Sequence, residues 1–276
     1  MPDPFVSVLV STYNHGAFIA EAIEGALMQE THFVVEIVIA DDCSTDETRR
    51  IIEGYHQRYP EKIRPLYSDE NLGGHVNFDR LYGEARGRYV ALLEGDDYWT
   101  DPHKLQKQVD VVEQNPDFSI CYHNLKIKNE KRRTKAKKTT NPNDPQVSGL
   151  ERITRFNYIW TVSCVFRNHL IKGIPSWVHT LPLGDWPLVV LLAEKGKIRY
   201  FDEVMGVYRV HGGGVWSRQS QQKRLVKTIR VAEACREHLG HPGFDDCIFK
   251  TSRTVARLAW KKGKYRRTVR YLNKCG

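Results

Sequence analysis

Strand-like and helix-like segments alternate through the first 125 residues, and this alternation constrains the fold more than any other feature. Short aliphatic, β-branched runs predict buried strands at 6–10, 34–40, 63–67 and 89–93. Between them, apolar residues recur at the three- and four-residue spacing of an amphipathic helix. Because a helix joins each strand to the next, the strands can lie parallel, with helices on both faces of the sheet. The sequence therefore predicts an α/β fold with a mainly parallel, Rossmann-like sheet.

The alternation ends at a basic segment, residues 126–138. This segment continues into Thr-Thr-Asn-Pro-Asn-Asp-Pro, and together they predict a mobile loop over 126–148. In the first part of the chain, Ser44 and Glu47 have the spacing of a capping box and predict the start of the second helix. Farther along, the pattern predicts a strand at 160–166, a buried helix at 186–194 and a strand at 204–210. From about residue 219 the pattern is helical and strongly basic.

The formal net charge of +9 is distributed unevenly along the chain. Residues 221–276 contain fifteen Lys or Arg and four Asp or Glu, and residues 126–138 contain eight and one. These balances of +11 and +7 leave −9 for the rest of the chain. The sequence therefore describes an acidic body that carries a basic insert and a basic tail, rather than a uniformly basic protein.

Several classes of protein are excluded by what the sequence lacks. No apolar run approaches the roughly 20 residues that span a bilayer, and the N-terminus lacks the basic and apolar regions of a cleaved secretion signal. The six cysteines are scattered without a C-x-x-C pair, which argues against a disulfide framework or a zinc site. A dinucleotide fingerprint and a P-loop are both missing. We therefore expect a cytoplasmic protein of another class.

Polar and acidic residues follow three of the predicted strands. They are the segments Ser11–Asn14, Asp41–Asp46 and Glu94–Trp99. Ligands of open parallel sheets bind outside the carboxyl ends of the strands, so these segments predict a common site. An acidic site favours a ligand that presents ribose hydroxyls and a base N–H. It also favours a divalent metal that joins carboxylates to a diphosphate.

Several motifs, in order along the chain, resemble family 2 glycosyltransferases of the GT-A fold. The resemblance covers about residues 5–216 and rests on segments at strand ends. The segments are Val6-Ser-Val-Leu-Val-Ser-Thr-Tyr-Asn14, Ile39-Ala-Asp-Asp-Cys-Ser-Thr-Asp-Glu-Thr48, Asn71-Leu-Gly73, Ala85-Arg-Gly87, Glu94-Gly-Asp-Asp97, Leu183-Gly-Asp-Trp186 and Tyr208-Arg-Val-His211-Gly-Gly-Gly. Any one of them is a weak signal, whereas their common order is a specific one.

The resemblance implies a set of residues that bind the donor nucleotide. Ser11 and Tyr13 would line the base pocket, with Asn14 beside them in the same loop. Asp42 would accept the N–H of a uracil-type base, and Asp96 would bind the ribose hydroxyls. The donor implied is a nucleotide diphosphate sugar, UDP-linked.

The resemblance also implies the residues that assist the chemistry. Asp97 would ligate Mn²⁺ or Mg²⁺ held by the donor diphosphate, and His211 would be a further metal or phosphate ligand. Asp185 stands where the family has the general base for the acceptor hydroxyl. Many relatives have Glu-Asp at this point, whereas this chain has Gly184-Asp185, so one carboxylate near the acceptor is missing.

Each of these residues also has a structural interpretation. Asp42 and Asp185 could cap helices, the Asp96-Asp97 pair could form a solvated turn, and His211 could be a turn residue before three glycines. Trp99, Trp160 and Trp186 are more typical of a hydrophobic core than of a sugar-binding platform.

The sequence and the resemblance together predict an inverting hexosyltransferase of cell-envelope polysaccharide or glycoconjugate synthesis. Its acceptor would be a saccharide, a lipid-linked molecule or another hydroxyl compound. We predict a GT-A catalytic domain and a tail, divided into a nucleotide-sugar-binding half at 1–125, the basic loop at 126–148, an acceptor-side half at 149–218 and the basic helical tail at 219–276. The alternatives are a sugar-phosphate nucleotidyltransferase, and a basic membrane- or nucleic-acid-binding protein with a vestigial site.

The basic tail contains a stripe of cations at helical spacing, formed by Lys250, Arg253, Arg257, Lys261 and Lys264. Such a helix could lie on the anionic inner face of the cell membrane. It could equally belong to a helical hairpin whose basic side faces solvent. No specific nucleic acid is expected, because the tail has no recognisable nucleic-acid motif.

Overall fold

The computed structural model of the chain shows two compact units. It describes residues 3–131, 137–139, 144–214, 216–264, 268–269 and 271. The first unit comprises Met1–Ser148, Ile159–Ile174 and Lys195–Val210, and the second comprises Gly149–Tyr158, Pro175–Glu194 and His211–Gly276. The predicted acceptor-side half, 149–218, is therefore divided between the two units.

The first unit contains the sheet and four helices. The strands are β1 (Val6–Thr12), β2 (Val35–Asp41), β3 (Ile63–Tyr67), β4 (Tyr89–Glu94), β5 (Tyr98–Trp99), β6 (Phe118–Asn129), β7 (Lys137–Lys138), β8 (Val147–Ser148), β9 (Val165–Arg167) and β10 (Lys197–Val210). The helices are α1 (Ile19–Leu27), α2 (Thr48–Arg58), α3 (Gly74–Gly83) and α4 (Lys104–Gln114). The strand–helix order predicted for the first 125 residues is confirmed.

The sheet is mixed, with parallel pairing between its long strands. The strand order is β3-β2-β1-β4-β9-β6-β10-β5, and β7 and β8 pair with β6 and β10. Neighbouring strands from β3 to β4 are parallel, as are β6 and β10. The short strand β9 is antiparallel to both β4 and β6, and β5, β7 and β8 are antiparallel to their partners. The α/β fold class is confirmed, and the sheet has more antiparallel pairs than the sequence suggested.

The central strands are buried on both faces, which explains their continuous apolar runs. In β1, Val6, Val8, Leu9 and Val10 are almost completely buried. Helix α1 approaches β5 closely at Gly25, where a Cβ atom would lie 2.9 Å from the backbone nitrogen of Trp99. Glycine at this point therefore allows the helix to pack on β5, which follows the acidic turn Glu94–Asp97.

Two sequence-based predictions in this unit are wrong. Residues 160–166 do not form one strand, because a 3₁₀ turn at Thr161–Ser163 precedes β9. The Ser163 hydroxyl donates to the Trp160 carbonyl oxygen at 2.6 Å, a local bond that competes with extended backbone. The capping box does not form either. The Ser44 hydroxyl instead donates to the Asp41 carboxylate, and α2 begins at Thr48.

The predicted loop over 126–148 begins later than expected. Its first residues, Lys126 to Asn129, form the end of β6 and pair with β10. Residues 137–138 form β7 and pair with Ile127 and Lys126. Residues 132–136 and 140–143, the centre of the predicted loop, lie outside the described residues. The pairing of β6 with β10 and β7 thus extends into a segment that its composition alone predicted to be a loop.

A lysine lies in the core of the first unit, beside the strand that follows the acidic turn. Lys104 is completely buried, and its Nζ lies 3.9 Å from the centroid of the Trp99 ring. Within the described part of the chain this nitrogen has no hydrogen-bond partner. Burial lowers the pKa of Lys104 to about 7, because the charged form loses its hydration.

Lys104→Met is expected to change how stability depends on pH. A lysine whose pKa is lowered in the folded state binds more protons when unfolded, between about pH 7 and its ordinary value of 10.5. The free energy of unfolding of the unsubstituted protein should therefore gain about 1.4 kcal/mol per pH unit from this residue over that range. The methionine variant should lack this gain and be the more stable protein at pH 7. Urea denaturation at pH 7.5, 8.5 and 9.5 measures the difference.

The exposed Lys62 provides the control, because Lys62→Met removes a solvated amine and should leave the pH dependence unchanged. Parallel stability profiles for the unsubstituted protein and Lys104→Met would show that Lys104 keeps its ordinary pKa in the folded state.

The second unit is helical. Its helices are α5 (Leu150–Ile153), α6 (Asp185–Ala193), α7 (Gln221–Leu239) and α8 (Gly243–Trp260). The Ser220 hydroxyl caps α7 at Lys223, and α7 ends at Gly240, whose φ of 68° is the left-handed conformation that suits glycine. Helices α7 and α8 form a hairpin with Ile229, Val255 and Ala256 in its interior. The helical pattern predicted from residue 219 is confirmed.

The apolar side of the tail faces the interior of this hairpin. Ile248, Val255 and Ala259 on α8 are buried. Among the helices that the structure describes, none combines the length and the apolar character needed to cross a bilayer.

Candidate active site

The loops that follow β1, β2 and β4 meet at one edge of the sheet. Ser11 is aligned with Ala40 on one side and with Glu94 on the other. The backbone N–H of Asp42 donates to the Thr12 carbonyl at 3.0 Å, and that of Gly95 donates to the Ser11 carbonyl at 2.9 Å. The expectation that these segments share one edge is confirmed, because parallel strands end together.

Asn14 joins the first loop to the second. Its backbone N–H donates to the Ser44 hydroxyl at 2.8 Å, and its side-chain oxygen accepts from the backbone N–H of Thr45 at 2.8 Å. The φ angle of Asn14 is 55°, a left-handed conformation that Asn adopts more easily than most residues. Its neighbour Tyr13 is 43% exposed, and Ser11 is half-buried. Asn14 therefore fixes the loop that presents Tyr13.

Asp42 is buried, and the loop before α3 fixes its carboxylate. One oxygen accepts the backbone N–H of Leu72 at 2.7 Å and the other accepts that of Gly73 at 3.0 Å. Each carboxylate oxygen has a further acceptor position. The segment Asn71-Leu-Gly73, one of the family motifs in the sequence, thus orients the Asp42 carboxylate through its backbone N–H groups.

Gly95 allows the acidic turn after β4 to lie against the loop after β1. A Cβ atom at this position would be 2.5 Å from the Thr12 hydroxyl oxygen. The same hydroxyl lies 3.2 Å from Nδ1 of His15, and Nε2 of His15 lies 3.8 Å from a carboxylate oxygen of Asp96. His15 was not among the predicted site residues. Its position directly after Ser-Thr-Tyr-Asn was the only sequence signal.

Asp97 is 1% exposed. Its Oδ1 accepts the backbone N–H of Arg209 at 2.7 Å, whereas its buried Oδ2 has no hydrogen-bond partner among the described residues. Burial raises the pKa of Asp97 well above its ordinary value, and the carboxyl groups of Asp96 and Glu94 raise it further. The backbone N–H and the guanidinium of Arg209 lower it. A cation beside this carboxyl would therefore favour its ionised form.

Arg209 is the second residue that the sequence analysis did not select. Its side chain is buried, forms ion pairs with Glu21 and with Glu130, the latter at 3.2 Å, and lies 4.5 Å from the centroid of the Tyr98 ring. Arg209 therefore connects α1, the end of β6 and the acidic turn. The available signal was a charged residue inside the strand predicted at 204–210, within the motif Tyr208-Arg-Val-His211.

The acidic turn suits a divalent cation that is only partly coordinated by protein. Within the described ranges, no three His, Cys, Asp or Glu side chains are grouped so that they could hold a metal by themselves. Mg²⁺-like ions usually take one or two carboxylates and complete their coordination with phosphates and water. The unpartnered Oδ2 of Asp97 and the grouping of three carboxyl groups in this turn fit such an ion. Asp96 is partly exposed, so it is the carboxylate of the pair that is open to a ligand.

Asp185 belongs to the second unit and lies in the first turn of α6. The helix cap is Gly184, so Asp185 is not the capping residue that the structural interpretation suggested. Its carboxylate accepts the Asn157 side-chain N–H at 3.1 Å, and the residue is half-buried. The neighbouring Trp186 is buried and its indole N–H donates to the Ile153 carbonyl at 2.8 Å. Trp186 is thus a core residue, as predicted.

His211 also belongs to the second unit and follows β10 directly. Its Nδ1 accepts the backbone N–H of Gly213 at 3.3 Å, and its carbonyl accepts the Ser217 hydroxyl at 3.4 Å. Because the first bond uses the Nδ1 lone pair, the proton of the neutral ring is on Nε2. A ring in this form donates a hydrogen bond, which suits a phosphate oxygen better than a metal.

Two bacterial proteins show the similarity at the level of sequence. An uncharacterized protein of Mycobacterium tuberculosis is 40% identical over 225 residues, which are 79% of this chain and 62% of that protein. The putative teichuronic acid biosynthesis glycosyltransferase TuaG of Bacillus subtilis is 38% identical over 123 residues, 44% of this chain and 48% of TuaG. The chain therefore spans about 62% of the length of the first of these relatives.

Two crystal structures show the similarity at the level of fold. S. aureus TarS in complex with UDP-GlcNAc has a TM-score of 0.64 and 16% identity, over 95% of this chain and 89% of TarS 1–349. The mannosyltransferase PcManGT of Pyrobaculum calidifontis, in complex with GDP-Man and Mn²⁺, has a TM-score of 0.65 and 16% identity, over 98% and 74%. At this identity the likeness shows the fold alone, and it confirms the GT-A class.

The family comparison includes the residues at the edge of the sheet. The model described as "Glycosyl transferase family 2" matches residues 7–172, more than half of the chain. This match contains the loops after β1, β2 and β4. The chain therefore belongs to glycosyl transferase family 2.

Proposed function

We propose that this protein transfers a hexose-type sugar from a UDP-linked donor to an acceptor hydroxyl, with inversion at the sugar carbon. The observation that carries the proposal is the acidic turn Glu94–Asp97, held by Gly95 against the loop after β1. Its three carboxyl groups and the unpartnered Oδ2 of Asp97 suit a cation-bound diphosphate. Family membership favours this activity over a sugar-phosphate nucleotidyltransferase.

The donor nucleotide is proposed to bind at the loops after β1 and β2. Tyr13 is exposed enough to stack on a base, and Asn14 holds the loop that carries it. Ser11 lines the same loop. Asp42 accepts the base N–H with a lone pair that the Leu72 and Gly73 N–H groups leave available. TarS was crystallised with UDP-GlcNAc and PcManGT with GDP-Man, which supports a nucleotide-sugar donor.

The acidic turn is proposed to hold Mn²⁺ or Mg²⁺. A divalent cation there would offset the charge that builds on the leaving diphosphate. Asp96 is the partly exposed carboxylate of the turn. The ribose hydroxyls and the cation both require an oxygen acceptor, which Asp96 would supply. Asp97, to which the resemblance assigned the metal, is buried next to Asp96 and would offer its unpartnered Oδ2. Its direct contact with the metal stays a prediction. PcManGT was crystallised with Mn²⁺, which supports a metal in this fold.

Asp185 and His211 are proposed to act on the acceptor and on the donor phosphate. As the acceptor oxygen bonds to the sugar carbon, the bond from that carbon to the diphosphate breaks. Asp185, oriented by Asn157, takes the acceptor's proton. His211 donates from Nε2 to a phosphate oxygen or, as the sequence analysis also allowed, ligates the metal. A single displacement of this kind inverts the sugar carbon.

The acceptor is proposed to be a saccharide or lipid-linked molecule of the cell envelope. The support is the name of TuaG, a putative glycosyltransferase of teichuronic acid biosynthesis.

Calorimetry with nucleoside diphosphates, with and without Mn²⁺, tests the proposal. We expect UDP to bind at least tenfold more tightly with Mn²⁺ than without it, because the cation neutralises repulsion between the diphosphate and the turn. Asp96→Asn should abolish the effect of Mn²⁺, whereas Asp110→Asn, which changes an exposed carboxylate on α4, should not. Absence of metal-dependent nucleoside diphosphate binding in the unsubstituted protein would contradict the proposal.

Asp97→Asn tests whether Asp97 ligates the cation directly or acts on it only through its buried charge. If Asp97 ligates the cation, the substitution should abolish the Mn²⁺ effect as Asp96→Asn does. If Asp97 acts only through its buried charge, a smaller loss of Mn²⁺ affinity should remain measurable.

A further inference from the structure

Helix α8 exposes aromatic and basic side chains together on one side. Trp260 is 61% exposed and Phe249 is 39% exposed. The basic-aromatic face comprises these two residues and the exposed cations Lys250, Arg253, Arg257 and Lys261. The Arg253 guanidinium lies 5.5 Å from the centroid of the Phe249 ring. Trp260 therefore presents more than half of its surface to solvent beside these cations.

The six residues of the basic-aromatic face share one side of the helix. At 100° per residue they fall within an arc of about 120°, with the two aromatic positions at one margin and Lys250 and Lys261 at the other. The opposite side of α8 carries Val255 and Ala259, which are buried, and the buried Ala256 lies next to the aromatic margin. The cations of the face thus belong to the stripe that the sequence analysis considered for membrane contact, and Phe249 and Trp260 add an exposed aromatic margin to it.

The charge of this face is strongly positive. From residue 247 to residue 276 the sequence contains no Asp or Glu. The two carboxylates nearest to the face along the chain, Asp245 and Asp246, lie in the first turn of α8, and they pair with Arg236 and Arg155 of the same unit. The cations of the face are therefore not neutralised by carboxylates along the rest of the helix.

We propose that the basic-aromatic face binds the surface of a membrane that contains anionic phospholipids. Tryptophan and phenylalanine at the headgroup level contribute apolar contact, and Lys and Arg extend their charged ends to lipid phosphates. The face lies on one convex helix, which suits a broad anionic surface. Single-stranded nucleic acid is usually bound in a positive groove with successive stacking platforms, and one helix side does not form such a groove. The proposal does not depend on the donor site in the first unit.

Vesicle co-sedimentation of the full chain tests the proposal. Vesicles of phosphatidylcholine alone are compared with vesicles that contain 30% phosphatidylglycerol, an amount of roughly the order found in anionic membranes. We expect binding to the anionic vesicles only, and its loss as the salt concentration rises towards 0.5 M, about where the Debye length falls below 5 Å. Equal binding to both vesicles, or no binding to either, would overturn the proposal.

Variants of the face identify the residues that bind. Arg253→Gln combined with Arg257→Gln and Lys261→Gln should weaken binding about a hundredfold, because each cation near an anionic surface contributes roughly a fivefold factor. The matched control replaces the exposed Lys62, Lys172 and Lys195 by Gln and should have little effect. If both triple variants lose binding equally, net charge rather than this face is responsible, and the proposal is wrong.

Trp260→Ser tests the aromatic contribution without changing the charge. It should weaken vesicle binding about tenfold, whereas Tyr59→Ser in the first unit should not change it. Binding of a single-stranded oligonucleotide is measured for the same variants. If the oligonucleotide binds more tightly than the anionic vesicles and shows the same losses, the face is a nucleic-acid site and the membrane proposal is overturned. UDP binding by each variant confirms that the first unit is intact.

Discussion

Asp185→Asn is expected to lower kcat about a thousandfold while the affinity for UDP stays unchanged. The substitution keeps the size of the side chain and its place in the first turn of α6, but removes the lone pair that would accept the acceptor's proton. General-base catalysis contributes roughly 10²- to 10⁴-fold in enzymes. Asp185 makes none of the proposed contacts with the nucleotide, which come from the loops after β1, β2 and β4 and, at a phosphate, from His211. Steady-state kinetics and UDP calorimetry on the same preparation provide the two measurements.

Two further variants define what a loss at Asp185 means. Asn157→Ala removes the N–H that orients the carboxylate and should lower kcat about tenfold. Glu194→Gln changes an exposed carboxylate just after the end of the same helix and should have no effect on kcat. Unchanged turnover in Asp185→Asn would remove Asp185 as the base, and the proposed donor site would be unaffected by that result.

Arg209→Met is expected to lower the free energy of unfolding by about 3 kcal/mol. The buried guanidinium pairs with the more exposed Glu21 and Glu130 and lies beside the buried Asp97, so its removal breaks both pairs and takes a positive charge away from Asp97. Methionine fills much of the same volume, so the loss reports the charge rather than a cavity. Urea denaturation at pH 7.5 measures it.

Arg50→Met is the matched control for Arg209. Arg50 is exposed and pairs with Glu47 three residues away, and such surface pairs contribute at most about 1 kcal/mol. If Arg209→Met is no more destabilising than Arg50→Met, the Glu21–Arg209–Glu130 cluster does not hold the acidic turn. UDP calorimetry on Arg209→Met further tests whether the turn keeps its Mn²⁺ dependence.

The fold and the general position of the site were predictable because they depend on local patterns. Apolar periodicity identified β1 to β4 and the helices between them, and parallel strands bring their following loops to one edge. Asp42 and the Asp96-Asp97 pair were therefore placed at that edge. The predicted strand at 160–166 was wrong because a short-range bond from Ser163 overrides β propensity. Lys126 to Asn129 were assigned to a loop because β6 is defined by pairing with β10, which is distant in sequence.

The sequence by itself determined the fold class, the family and which loops carry acidic residues. Only the tertiary structure decided that Asp97 is buried while Asp96 is partly exposed. It likewise decided that Arg209 joins the acidic turn, which contains both residues, to α1. It also decided which side of α8 faces outward. The physical reason is that burial and partner choice depend on contacts between residues far apart in the chain, such as Asp97 and Arg209, which lie 112 residues apart. Periodicity is set by near neighbours and cannot show such contacts.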